Sequence, residues 1–250
     1  MMSIQESTLS AVPHGFFLKN SDVLGNCIKE FDFSFSKFQS DEITLENRRM
    51  AAKSISQPKA KLIFADQIHS SKVVKVDHCS DDIVLEADGL VTKKRGVALC
   101  ILTADCAPIL CVDTKAKVVG AAHAGWRGAL AGIAENTIDA MVEIGASKSN
   151  ITVSIGPCIS KENYEVEQDF KKDFVKANSW TNEFFYDKSD TKCIFDLPRY
   201  IIRRLFHHEI KSASWTKLCT YEQNSKFHSY RHARDHNKLH HKRNISIISL

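Results

Sequence analysis

The sequence contains no Cys-x-x-Cys pair and no His-x-His pair. The first absence argues against a zinc ribbon and a disulfide scaffold. The second argues against a multicopper oxidase, which needs many histidines in paired arrangements. Long hydrophobic runs are also lacking. The longest apolar stretch, VALCILTADCAPILCV at 97–112, is interrupted by Asp105 and Pro108 and is too short to span a bilayer with comfort. The opening residues, MMSIQESTLSAVPHGFF, show no basic segment followed by a long apolar run, so no secretory signal is expected. No fixed-period repeat and no Pro/Gly/Ser-rich linker divides the chain. The expectation is therefore a cytoplasmic protein forming a single domain over residues 1–250, without a membrane partner. Its eight irregularly spaced cysteines are then mostly reduced thiols that pack as small hydrophobes.

Charge imbalance is slight as well. The formal net charge of +4, with 43% hydrophobic and 26% charged residues, sits near the soluble globular average. Basic residues gather toward the C-terminus, where SYRHARDHNKLHHKRN also holds His228, His232, His236, His240 and His241. Three of these, at 232, 236 and 240, would share one helical face and could bind a metal adventitiously, but a solvated polar loop is the simpler reading. No stacking-aromatic pattern accompanies the basic run, so nucleic acid is not expected as a partner.

Hydrophobic patterning predicts a mixed α/β (α+β) fold, with central mixed sheets packed by helices and strand ends available for chemistry. DEITLENRRMAAKSI at 41–55 reads as a helix capped by Ser40 or Asp41. KLIFADQIHSSKVVKVD reads as two short strands around a polar corner. GVALCIL, PILCVD and KVVGAAHA fit strands buried on both faces, and ITVSIGPCI is a further strand. ALAGIAENTIDAMVEIGA keeps Leu130, Ile133, Ala134, Ile138, Met141 and Val142 on one helical face. EVEQDFKKDFVKA and DLPRYIIRRLFHHEI read as amphipathic helices, and NISIISL as a closing strand.

Three corners recur at the ends of apolar strands: DQIHS with His69, TADCAPIL with Cys106 and AAHAGWRG with His123. One cysteine and two histidines form a zinc-type set, and three protein ligands leave the fourth tetrahedral position open, as catalytic sites do. Spacing alone reads equally as a buried thiol and two hydrogen-bonded core histidines. Asp105 tips the balance toward a site: a carboxylate beside the cysteine in an apolar run must be paired, and such carboxylates commonly orient metal-bound histidines. Asp105 is open to a second role, as a general base.

DQIHSSKV, ADGLV, TADCAPIL, AAHAGWRG, IGPCI with YEV, CTY and SYR together resemble the family once labelled multicopper polyphenol oxidase, or laccase-domain proteins, and now described as purine nucleoside phosphorylases. The similarity runs from HGFF at 14 to the final strand. The resemblance implies a zinc site of His69, Cys106 and His123, with copper as the alternative metal. It further implies phosphorolysis of adenosine, inosine and methylthioadenosine, together with adenosine deamination, in a monomer or homodimer. Phosphorolysis needs cations around a phosphate dianion. Lys19, Arg48, Arg127, Arg231 and Arg243 stand at cationic positions of the family pattern, and Gln67 lies in the polar corner beside His69. Arginine suits phosphate through its planar fork.

Two departures matter. After HGFF the family's Thr-Arg-x-Gly-Gly is replaced by LKNSD, so Lys19 keeps the charge and loses the fork. The tail after SYR carries extra histidine and basic residues, which blurs the register of Arg243. Three other readings use the same residues: a metal-free cysteine hydrolase with Cys106 as nucleophile, His123 as base and Asp105 as orienter; a copper-dependent polyphenol oxidase; and an inactive binding protein. A cytidine-deaminase-type site is disfavoured, because its His-x-Glu and Pro-Cys-x-x-Cys elements are missing.

Overall fold

Three consecutive seven-residue strands, Val97–Thr103, Ala107–Asp113 and Val118–Ala124, are buried along their whole length. The computed structural model describes residues 2–21, 29–34, 42–77, 85–238 and 242–250. Because side chains alternate along a strand, each of these runs feeds two cores at once. Leu99 and Ile101 meet Leu110, Val112, Val119 and Ala121 in one cluster. The intervening Ala98, Cys100 and Leu102 pack with Ala51 and Ile55. On the far side, Ile109, Cys111, Ala122 and Ala124 meet Ile133, Ile138 and Met141. The result is a layered mixed α/β fold: helix α1 (Glu42–Ser54), a five-stranded sheet, a six-stranded sheet, and then helices α3 (Ile133–Glu143) and α5 (Leu197–His207).

The five-stranded sheet runs Ser3–Ile4, His14–Phe17, Asn244–Ser249, Val97–Thr103, Lys61–Ile63. The last strand of the sequence is thus an interior one, antiparallel to both neighbours. The six-stranded sheet runs Ser212–Trp215, Thr152–Ile155, Ala107–Asp113, Val118–Ala124, Gly89–Thr92, Val73–Lys75. A small sheet of Glu165–Glu167, Lys192–Phe195 and Phe185–Asp187 packs its aromatic rings around Phe174 of helix α4 (Gln168–Ala177).

Pairing register places the site. The chain leaves the first sheet at Thr103 and enters the second at Ala107, so Cys106 sits on the crossing. Ala107 pairs with Ala124 and Pro108 with His123, which brings Cys106 and His123 to one sheet end. Gly89 pairs with both Ala122 and Val73, so Asp88 and the corner at 69–72 arrive at the same place.

Some elements differ from expectation. The single helix expected after the GWRG corner is two: α2 (Trp126–Ala131) and α3, split at Gly132, whose φ of 93° is a left-handed conformation that glycine adopts without steric cost. Val142, expected on the apolar face, is exposed, while Ile133, Ala134, Ile138 and Met141 are buried as the periodicity requires. The segment 165–167 pairs as a strand before α4 begins. The expected cap of α1, Ser40 or Asp41, lies outside the described residues, as do His240 and His241. Helix α6 (Tyr230–Asp235) is short, and His236 caps it with its ring stacked on His232.

Candidate metal centre and cleft

His69, Cys106 and His123 come together, with one ligand atom from each lying within 4.8 Å of the others. The Cys106 sulfur is 4.0 Å from His69 Nε2, and the two imidazoles meet edge to face at 4.8 Å between centroids. His123 is buried, Cys106 half-buried and His69 exposed, so the group spans from the protein interior to solvent. Ligand atoms around a tetrahedral zinc lie about 3.5 Å apart, so a small contraction fits the ion.

The carboxylate that orders this group is Asp88, not Asp105. Asp88 is fully buried and accepts from His123 Nδ1 at 2.8 Å, from the His69 and Ser70 backbone N–H groups at 3.0 and 2.6 Å, and from the Ser70 hydroxyl at 2.7 Å. Its own carbonyl accepts from the His123 backbone N–H. Both histidine corners therefore hang on one side chain. With Nδ1 of His123 held by Asp88, Nε2 is the nitrogen left to ligate. His69 itself sits at a φ of 60°, a strained conformation for a non-glycine residue, fixed by the Asp88 contacts.

Burial opposes charge on Asp88, but hydrogen bonds from His123 and Ser70 outweigh it and hold the carboxyl below its usual range. Burial likewise opposes ionisation of Cys106, yet the adjacent His123 and His69 overcome it and bring the thiol well below its ordinary value. The pair responds in kind: burial alone would depress His123, and the Cys106 sulfur and Asp88 raise it.

Asp105 lines the cleft and holds neighbouring segments together. Its φ is 86°, and its two oxygens accept from the Thr220 hydroxyl and the Arg231 backbone N–H, both at 2.6 Å, while its carbonyl accepts from the Ile159 N–H. It ties the CTY, SYR and IGPCI segments to the residue before Cys106. Each oxygen accepts one of these hydrogen bonds, and neither bonds to His69 or His123 among the described contacts.

His69 and Cys106 open onto a cleft of about 230 Å³, lined also by Asp105, Trp126, Arg127, Tyr164, Tyr230, Arg231 and Arg234. Arg127 lies 4.2 Å over the Trp126 ring and Arg231 5.6 Å from the Tyr164 ring centroid. Trp126 is in turn packed on Phe170. Of the expected phosphate-binding cations, Arg127 and Arg231 line this cleft. Arg48 does not: it is buried and donates to the Phe33 and Ser34 carbonyls, with its guanidinium over Phe64. Arg243 donates to the Lys242 carbonyl, and Gln67 clamps both backbone groups of Leu102; neither lines the cleft. Lys19 pairs with Glu30 at 3.5 Å and lines a neighbouring cavity.

Asp88, Gly125, Tyr164 and Tyr230 are site residues that sequence reasoning did not single out. ADGLV carried a signal, since a carboxylate inside a buried apolar run has to find partners. Gly125 is needed for space: a Cβ there would lie 2.8 Å from His69 Cδ2 and 3.1 Å from the Cys106 sulfur. We expect Gly125→Ala to fold while its affinity for zinc falls about tenfold, because both ligands are pushed off position. Zinc titration against a chromogenic chelator measures this, and unchanged affinity would show that the corner relaxes freely.

A mixed α/β fold that gathers two imidazoles and a thiol at its strand ends, beside an arginine-lined cleft, defines a protein with a candidate three-ligand metal site. The chain belongs to the multi-copper polyphenol oxidoreductase laccase family, which matches residues 13–250. Purine nucleoside phosphorylases of Rickettsia prowazekii and Corynebacterium glutamicum are similar to it. The first is 33% identical over 68% of this chain and 70% of the relative, the second 36% identical over 74% of each. Among solved structures, a Neisseria meningitidis protein superposes with a TM-score of 0.84 at 26% identity, covering 100% of this chain and 98% of that one. A hypothetical protein of Bacillus licheniformis gives 0.83 at 26% identity, covering 95% and 92%.

Proposed function

We propose that the protein is a zinc-dependent purine nucleoside phosphorylase, acting on adenosine, inosine and methylthioadenosine and deaminating adenosine in the same cleft. The observation that carries this reading is the convergence of His69, Cys106 and His123, two of which, His69 and Cys106, line one cleft with Arg127 and Arg231. The names of the relatives support it. Zinc, once held by these three residues, supplies Lewis acidity and activates water near neutral pH.

In phosphorolysis an oxygen of hydrogen phosphate bonds to the ribose C1′ as the bond from C1′ to the purine nitrogen breaks, and the base leaves with the proton that the phosphate gives up. Arg127 and Arg231 hold the phosphate by charge-assisted hydrogen bonds, where the oxocarbenium charge that grows at C1′ attracts the dianion. Trp126, Tyr164 and Tyr230 line this cleft and supply aromatic surface for the purine. Asp88 keeps the proton of His123 on Nδ1 throughout. Asp105 keeps Arg231 in register with Cys106.

The same geometry supports a second reading. Cys106, His123 and Asp88 stand in the order of nucleophile, base and orienter, with the thiol already biased toward thiolate.

The test is chromatography of products from adenosine, with and without phosphate, before and after chelation. We expect adenine and ribose 1-phosphate only when phosphate is present and inosine in either case, with both activities lost on chelation and restored by zinc. Copper rather than zinc in the purified protein would change the metal and not the reaction. Adenosine unchanged under every condition would overturn the proposal.

A further inference from the structure

Beside the cleft lies a second cavity of about 190 Å³ that the proposed reaction leaves unused. Tyr230 lines both, so one aromatic ring on the first turn of α6 separates them. The walls of the second cavity carry Lys19, Lys238, Lys242 and His232 against a single carboxylate, Glu30. Glu30 is engaged by Lys19 and Lys242 together. Among the described lining residues three ammonium groups therefore face one carboxylate, an excess of positive charge.

Two histidines sense that field. Burial, and then the neighbouring His236, Lys238 and Lys19, hold His232 below its ordinary value. Burial with a contribution from Lys19 does the same to His228, against the pull of Phe31 and Glu30. The rest of the lining is mixed, with Asn224 and Ser229 beside Phe227, Tyr230 and Ala233, so the excess of ammonium groups is what selects an anion over a cation.

We propose that this cavity is an anion subsite that takes a phosphoryl dianion, across Tyr230 from the residues of the metal centre. Lysines suit it as compact point charges that need no planar partner. Two sources share this chemistry: free phosphate, and the phosphoryl group of a nucleoside monophosphate whose base and sugar occupy the cleft. The second source rests on the nucleoside reading of the cleft, while the first does not.

Calorimetric titration of the zinc-loaded protein with inorganic phosphate, adenosine and adenosine monophosphate separates them, comparing wild type with Lys238→Glu/Lys242→Glu. Lys238 is exposed and the Lys242 side chain half-exposed, so the variant is expected to keep its melting temperature within a few degrees. If the monophosphate binds about tenfold tighter than adenosine and the variant abolishes the difference, the phosphoryl group comes on the nucleoside. If free phosphate binding weakens about tenfold in the variant and the monophosphate has no advantage, the subsite takes free phosphate. Wild-type affinities retained in the variant, or no binding of either anion to the wild type, overturn the subsite. Adenosine turnover in that last case leaves the proposed function standing. A phosphate effect without turnover of any nucleoside retains the subsite and removes the nucleoside reading.

Discussion

Asp88→Ala is expected to lose about 3–5 kcal/mol of stability and to bind zinc about 10–100-fold more weakly. The size follows from what the carboxylate holds. It is completely buried and accepts four hydrogen bonds, so its removal strands His123 Nδ1 in the interior and leaves the His69 and Ser70 N–H groups and the Ser70 hydroxyl without their partner in part-buried positions. A domain has only about 5–15 kcal/mol in total, so the alanine variant sits close to unfolding. Asp88→Asn is the milder probe. It keeps the shape and one acceptor oxygen, but turns an amide N–H toward groups that themselves donate, and it should retain the fold while still losing metal affinity.

A pH series separates the charge from the shape. Asp88 is held below its ordinary value of 3.8 in the folded protein. Its contribution to stability is therefore present above that value and lost as the pH falls through the lower folded one. Urea unfolding of the metal-free wild type should show this loss below about pH 4, and Asp88→Asn should lack it. An unaltered acid limb in the asparagine variant would mean that Asp88 is not the ion this geometry makes it.

How much of this was legible beforehand depends on the kind of signal. The meeting of His69, Cys106 and His123 was legible because each ends a run of apolar residues with a side chain that costs energy unless partnered. The strands around them were legible from uninterrupted burial. The carboxylate partner was assigned to Asp105 by adjacency in sequence, whereas the structure supplies it from Asp88, brought beside His123 by the pairing of Gly89 with Ala122. Register is a tertiary property, and sequence neighbours give no access to it. The same limit explains the arginines. A cation in a family-like string does not reveal whether its guanidinium reaches solvent, and Arg48 turns inward to two carbonyls whereas Arg127 and Arg231 reach the cleft. The helix break at Gly132 was hidden because apolar periodicity continues across it.

Cys106→Ala is expected to abolish both nucleoside activities and stoichiometric zinc binding, since two histidines alone make an incomplete set. Taken alone, this result would suit the thiol-hydrolase reading equally, because the same substitution removes its nucleophile. The discriminating comparison is the wild type stripped of metal. Cys106 is then intact beside His123 and Asp88, and a thiol nucleophile would continue to work and would be blocked by iodoacetamide. A metal enzyme would be silent until zinc is returned. The variant should keep its fold, because Cys106 is half-buried at a strand crossing and its sulfur accepts no backbone hydrogen bond among the described residues. It should also lower the pKa of His123, which the Cys106 sulfur and Asp88 together raise above the ordinary 6.5 against the effect of burial. In the metal-free wild type that raised value contributes stability below pH 6.5, which is lost as the pH rises through the folded value. Loss of the sulfur should move that alkaline limb toward neutrality, visible as an earlier fall in urea midpoint. If the limb stays where it is in Cys106→Ala while zinc binding disappears, the thiol acts on the metal alone and not on His123.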